Sequence, residues 1–220
     1  MAKDLPLEKL LREFGFQTDS AQAAARAALE DAGITRAGKS RIVEWKRAGA
    51  EAVVLARVTL LCDACKVAGL GTAYPETVTA GQGDRCVVCE GSANHRGALL
   101  LIEACQRAGF RRVIVVGGGP DIHREVPLLL GDDLDVRMVD GTLARPGRDV
   151  QREINGADVV ILLGLTELSH TVSAAWASPK TLATNHRGIS AFLMEAADKI
   201  RQGSGPAGNR PPQRRTRHNE

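Results

Sequence analysis

Apolar residues recur at helical spacing through the first third of the chain and gather into solid runs in its second half. After Asp4 and Pro6, residues Leu7, Leu10, Leu11 and Phe14 fall at i, i+3, i+4 and i+7. That stripe predicts a short helix, capped near Asp4 and stopped at Gly15. Asp19 with Gln22 three residues on has the form of a capping box, and the Ala-rich run to Asp31 extends it until Ala32-Gly33. Thr35 is placed to cap a third helix, whose apolar positions are Ile42, Val43 and Trp45. Residues 48–61 are apolar without strict alternation, which favours helix over strand.

From Arg111 the pattern changes. RRVIVVGGG, DLDVRMVDG and ADVVILLG each set four or more aliphatic residues before glycine, as buried parallel strands do. Residues 120–130 and 148–155 are suited to crossover helices, and 169–177 and 189–201 to helices covering the later strand ends. A fourth short strand is expected at 181–183, and a helix over 98–108 precedes the first. The expectation is an α/β chain whose last domain is a Rossmann-like or flavodoxin-like three-layer sandwich with about four parallel strands. It divides into a helical region over 1–61, a small cysteine module over 62–95, the sandwich over 96–202 and a tail over 203–220.

Charge sharpens that division. The chain has 29 Lys and Arg against 26 Asp and Glu. From Gly203 onward Arg210, Arg214, Arg215 and Arg217 face a single acid, Glu220, so the tail carries the whole excess. With no apolar residue larger than Ala, it cannot offset its ordering entropy and is expected to be disordered. At 220 residues the rest can bury a real core without crosslinks. No apolar run reaches the roughly 18 residues of a membrane span, and the opening MAKDLP lacks the apolar stretch of a signal peptide. A cytoplasmic location without a membrane partner is expected. In that reducing compartment five cysteines are metal ligands or buried thiols rather than disulfides.

A helix, an Ala-Gly turn and a cation-rich segment bearing Arg36, Lys39, Arg41, Lys46 and Arg47 have the layout of a helix-turn-helix. These five, with Arg214, Arg215 and Arg217 of the tail, form the candidate contact set for DNA or RNA. Against it stand Gly38 inside the recognition helix and the scarcity of Asn and Gln for reading bases, which suit an ordinary helical bundle.

The strongest chemical pattern is Cys62-x2-Cys65-x20-Cys86-x2-Cys89, the spacing of a structural zinc site. Four thiolates complete a tetrahedron and leave no position for water, so one Zn2+ here would stabilise rather than catalyse. The second pair runs into a helix, a treble-clef-like arrangement. His95 reads as polar surface and Cys105 as core packing.

In doubly wound sheets ligands bind beyond the carboxyl ends of the strands. Here those ends hold Gly117, Gly118, Gly119 and Asp121, then Asp140, then Thr166, Ser169 and His170, then His186. Glycines admit close backbone approach and a following helix amino terminus favours an anion, so these residues are candidates for a nucleotide or phosphate-bearing ligand. Tight strand-to-helix turns also need glycine with no ligand at all. Asp140 stands where an acid would hold a ribose, yet Ile122 replaces the last glycine of the dinucleotide fingerprint, and no P-loop lysine follows. His123, His170 and His186 would serve acid/base chemistry only on converging with Asp121, Asp140 or Glu167, so no catalytic residue is assigned.

The succession VVGGG, VDG and ADVVILLGLTELSH resembles an uncharacterised bacterial family of small Rossmann-like domains of unknown function. The resemblance spans about residues 111–200 and rests on Gly117, Gly118, Asp140, Gly141, Asp158, Ser169 and His170. It implies the fold and brings no activity. The sequence therefore leads to a zinc-containing, non-enzymatic protein associated with nucleic acid or with regulation. The alternative is a nucleotide or small-anion sensor using the strand-end loops, with a hydrolase or transferase ranked below both. An exposed sheet edge leaves room for a homodimer.

Overall fold

The computed structural model describes residues 4–72, 77–79, 85–164 and 170–203, and the chain forms two compact units, Met1–Arg96 and Gly97–Glu220. The first unit begins with β1 (Asp4–Pro6), α1 (Leu7–Glu13) and α2 (Asp19–Asp31). The 7-10-11-14 stripe forms as expected: Leu7, Leu10, Leu11 and Phe14 are at most 2% exposed, in one core with Phe16, Leu29 and Val54. Each such buried side chain stabilises the fold by about 1.5–3 kcal/mol. α1 ends at Gly15, whose φ of +103° suits glycine and whose Cβ would meet Arg85 and Leu60 at 3.0 and 3.1 Å. Asp19 is not the cap of α2. Thr18, in extended backbone, accepts from the Ala21 amide at 3.2 Å, and Asp19 takes the first turn, where its charge suits the helix dipole.

The cation-rich recognition helix does not form. Gly38 adopts φ +75° in a turn, and the chain continues as β2 (Arg41–Val43), a 3-10 turn (Glu44–Lys46) and α3 (Arg47–Arg57). β2 pairs antiparallel with β1, Leu5 opposite Ile42, because β-branched Ile42 and Val43 suit a strand and the edge of β1 supplies backbone partners. Arg36, Lys39, Arg41, Lys46 and Arg47 are thereby scattered over four local structures. Three of them hold the fold together: Arg41 donates to Asp4 O at 2.7 Å, Lys46 to Ile34 O at 3.1 Å, and Arg47 pairs with Glu13 at 3.1 Å beside the Phe14 ring. Residues 48–61, expected as one helix, stop being helical at Arg57. Extended Val58 leads into β3 (Thr59–Leu61), followed by α4 (Asp63–Val67) and β4 (Thr77–Thr79), which pairs parallel with β3.

The second unit follows the α/β pattern. α5 (Ala93–Ala108) runs into it and is followed by β5 (Arg112–Val116), α6 (Pro120–Leu130), β6 (Asp135–Val139), α7 (Gly147–Gly156), β7 (Val159–Leu163), α8 (His170–Ala175), β8 (Thr181–Thr184) and α9 (Ile189–Arg201). The sheet has the order β6-β5-β7-β8 with every pairing parallel. β7, VVILL, is buried at all five positions, as its unbroken aliphatic run requires. Gly97 lets α5 meet α9, since a Cβ there would lie 2.9 Å from Ser190 O. β5 leads to β6 on one side, while β7 leads to β8 on the other. The carboxyl ends of β5 and β7 therefore mark a topological switch point, where such sheets open a crevice. Among the described residues no helix is long and apolar enough to cross a membrane.

Candidate metal centre and strand-end cleft

The Cys62, Cys65, Cys86 and Cys89 sulfurs all lie within 4.8 Å of one another, and all four residues are buried. Local structure explains the convergence. β3 delivers Cys62 as the extended residue before α4, whose first turn swings Cys65 onto the same side. The second pair lies on a turn tied back to β3 by the Val87 amide on Leu60 O at 3.0 Å. Beyond Cys89 the chain reverses through two left-handed residues, Glu90 (φ +51°) and Gly91 (φ +80°).

The Cys62 and Cys89 sulfurs stand 3.7 Å apart, wider than the roughly 2.05 Å of a disulfide. It matches the roughly 3.8 Å between ligands of a tetrahedral site with metal–sulfur bonds of about 2.3 Å. The donor set thus fits a metal ion that takes four thiolates. Burial opposes ionisation of Cys86, but amides of Cys62, Cys89 and Val88 outweigh it and hold this thiol down at about 6. Burial raises Cys65, reinforced by the neighbouring thiols, and burial likewise raises Cys89. Cys86 is thus the sulfur of the four most disposed to ionise, through backbone amides aided by the neighbouring Cys89 side chain. Cys105 stands apart, buried in α5 with its thiol pushed up to about 12 by burial and by the Asp158 charge, as suits a packing residue.

A cleft of about 690 Å³ opens at the carboxyl ends of β5 and β6, lined by Gly117 to Pro120, Ile122, His123, Asp140 to Thr142 and Arg187. The glycine loop and the strand-end acid of the sequence analysis are thereby brought together. Gly117 and Gly118 have φ of +95° and +90°. At Gly118 a Cβ would meet Ile122 at 2.9 Å and Leu163 at 3.1 Å, so the fold itself demands glycine there. Gly119 differs. Its φ is −79° and a Cβ would meet nothing within 4 Å. Gly119 also heads α6, and no side chain caps that terminus. Across the cleft Asp140 Oδ1 accepts from the Thr142 amide at 2.8 Å and its hydroxyl at 2.7 Å, and this pair holds the carboxyl below its ordinary range. His123 Nε2 lies 3.1 Å from Gly117 O and pins the loop to α6.

Other candidates fall elsewhere. Asp121 is exposed and paired with Arg124 at 2.7 Å rather than lining the cleft. His186 faces Glu195 at 3.8 Å. Burial raises the Glu195 carboxyl, but Lys199 and the Asn185 amide overcome this and keep it low. His170 is the exposed first residue of α8, and neither it nor His186 lines the cleft. Thr166, Ser169, Glu167, Arg214, Arg215 and Arg217 lie outside the described residues. Sequence reasoning missed Arg187, a cleft wall with no ion-pair partner among the described residues. The signal lay in the strand-end cluster Asn185-His186-Arg187, where only geometry tells which side chain turns to the cleft. Asp158, quoted above for resemblance, has a structural duty: Oδ2 accepts the amides of Arg111 and Arg112 at 2.8 and 2.9 Å, joining the starts of β5 and β7. No family model, curated protein or solved structure matches the chain.

Proposed function

We propose that the protein is a non-enzymatic sensor that holds a phosphate-bearing ligand, a nucleotide in the first instance, in the cleft beyond β5 and β6, with one Zn2+ as a structural element of its cysteine module. The carrying observation is the composition of the cleft of about 690 Å³: a glycine loop opening onto a helix amino terminus with no side-chain cap, an arginine with no ion-pair partner among the described residues, and a fixed carboxylate. An uncapped α6 offers partial positive charge and backbone donors to an anion, and Arg187 adds a full charge. Asp140 suits hydroxyl groups rather than phosphate. The volume is that of a small-molecule site. A closed set of four thiolates suits a structural Zn2+; iron takes the same donor set, and the metal content of the purified protein distinguishes the two. The reading as a DNA or RNA binder loses the support of a recognition helix, and three of its five candidate cations between 36 and 47, Arg41, Lys46 and Arg47, are engaged within the fold.

The test is thermal unfolding of the full chain with inorganic phosphate, ADP, ATP and NAD. A saturating ligand at a hundred times its Kd stabilises by about 2.7 kcal/mol. At least one of these compounds is expected to raise Tm, and Arg187→Ala to remove most of the rise while leaving the ligand-free Tm in place. No shift with any of the four, or an equal shift in the variant, contradicts the reading.

A further inference from the structure

The metal centre has a fifth protein group beside its sulfurs. Ser92 caps α5 through the His95 amide at 3.1 Å, which fixes the first helical turn immediately after the Cys86–Cys89 turn. Helical side chains lean toward the amino terminus, so Arg96, in that first turn, reaches back over the sulfurs. Its Nη1 lies 3.8 Å from Cys89 Sγ, within sulfur hydrogen-bond distance. Four thiolates around a divalent ion leave two negative charges in a buried site, and groups beyond the ligands must answer them.

We propose that Arg96 is the charge-compensating positioning residue of this centre: its guanidinium donates to the Cys89 thiolate, draws electron density from that sulfur and slows loss of the ion. The inference rests on the metal reading above, which the experiment addresses separately. Lysine would keep the charge but not the planar fork, and methionine would keep the bulk but neither.

The experiment loads the full chain with Co2+ for spectroscopy and with Zn2+ for release to a chromogenic chelator, comparing wild type, Arg96→Lys and Arg96→Met. Arg96→Met is expected to shift the thiolate-to-cobalt charge-transfer band and to weaken metal retention roughly 10–100-fold, with Arg96→Lys between it and wild type. Far-UV circular dichroism of the loaded variants separates this from misfolding, and Arg96→Lys keeps the comparison if Arg96→Met fails to fold. An unchanged band and release rate in both variants overturns the role of Arg96 alone. Absence of a thiolate–cobalt spectrum in wild type overturns the metal centre, and this inference with it.

Discussion

At the residue scale, single polar atoms decide which local structures survive. Asp158 is the clearest case. Burial works against its charge, yet the Arg112 and Arg111 amides hold its carboxyl below the ordinary value. A carboxyl depressed by folding contributes stability above its unfolded pKa, near 3.9, and loses that contribution as pH falls through the folded value. Asp158→Asn, which keeps an acceptor but not the charge, is expected to cost about 1 kcal/mol at pH 7 in urea unfolding. The gap should close toward pH 3, and an equal gap at both pH values would show that the charge is irrelevant. Sequence alone marks Asp158 only as the polar residue before an aliphatic run; its two amide partners lie 46 and 47 residues away and exist only once the strands pair. The same limit hid Arg96 and Arg187. Each stands next to a histidine that the sequence singles out, His95 and His186, and the contact of Arg96 with Cys89 and the place of Arg187 in the cleft wall are tertiary facts.

At the element scale, the patterns that burial dictates were legible and those that turn chemistry dictates were less so. β5, β6, β7 and β8 arise within a residue or two of their expected places. The central strands β5 and β7 do so because strands buried on both faces need unbroken aliphatic runs, while the edge strands β6 and β8 are only partly buried and include polar residues. The cation-rich segment failed for the opposite reason. Gly38 breaks it, β1 competes for Ile42 and Val43, and Trp45, expected on an apolar helical face, stands 75% exposed. α6 allows stability and binding to be separated. Gly119 heads it in ordinary extended backbone with open space around its missing Cβ, so the fold does not require glycine there. Aspartate is a better helix cap than glycine and complements the dipole. Gly119→Asp is expected to raise unfolding stability by about 0.5–1 kcal/mol while placing a carboxylate where the anion would sit. A more stable protein whose Tm no longer responds to nucleotide is the expected outcome. One that still responds would place the anion elsewhere.

At the scale of the whole molecule, the two compact units have different sources of stability. The first has an aliphatic and aromatic core around Leu11, Phe14 and Phe16 and a separate cluster built on Leu61 and the four cysteines; the second has a core around β5, β7 and Trp176. The cysteine cluster has few apolar neighbours, so metal ligation is expected to supply most of its folding energy. The spacing of the cysteines made that centre legible, since two turns of fixed geometry need no distant information. The cleft was legible only in part, because His170 and His186 sit at strand ends as expected yet do not line it. Amide hydrogen exchange of the zinc-loaded full chain, alone, with each of phosphate, ADP, ATP and NAD, and with a chelator, tests the account most directly in one measurement. The account predicts that at least one of the four compounds slows exchange in residues 117–123 and 140–142, and that the chelator speeds it in 59–67 and 86–92 while β5 and β7 stay protected. Unchanged exchange in the glycine loop with all four at saturating concentration would contradict it.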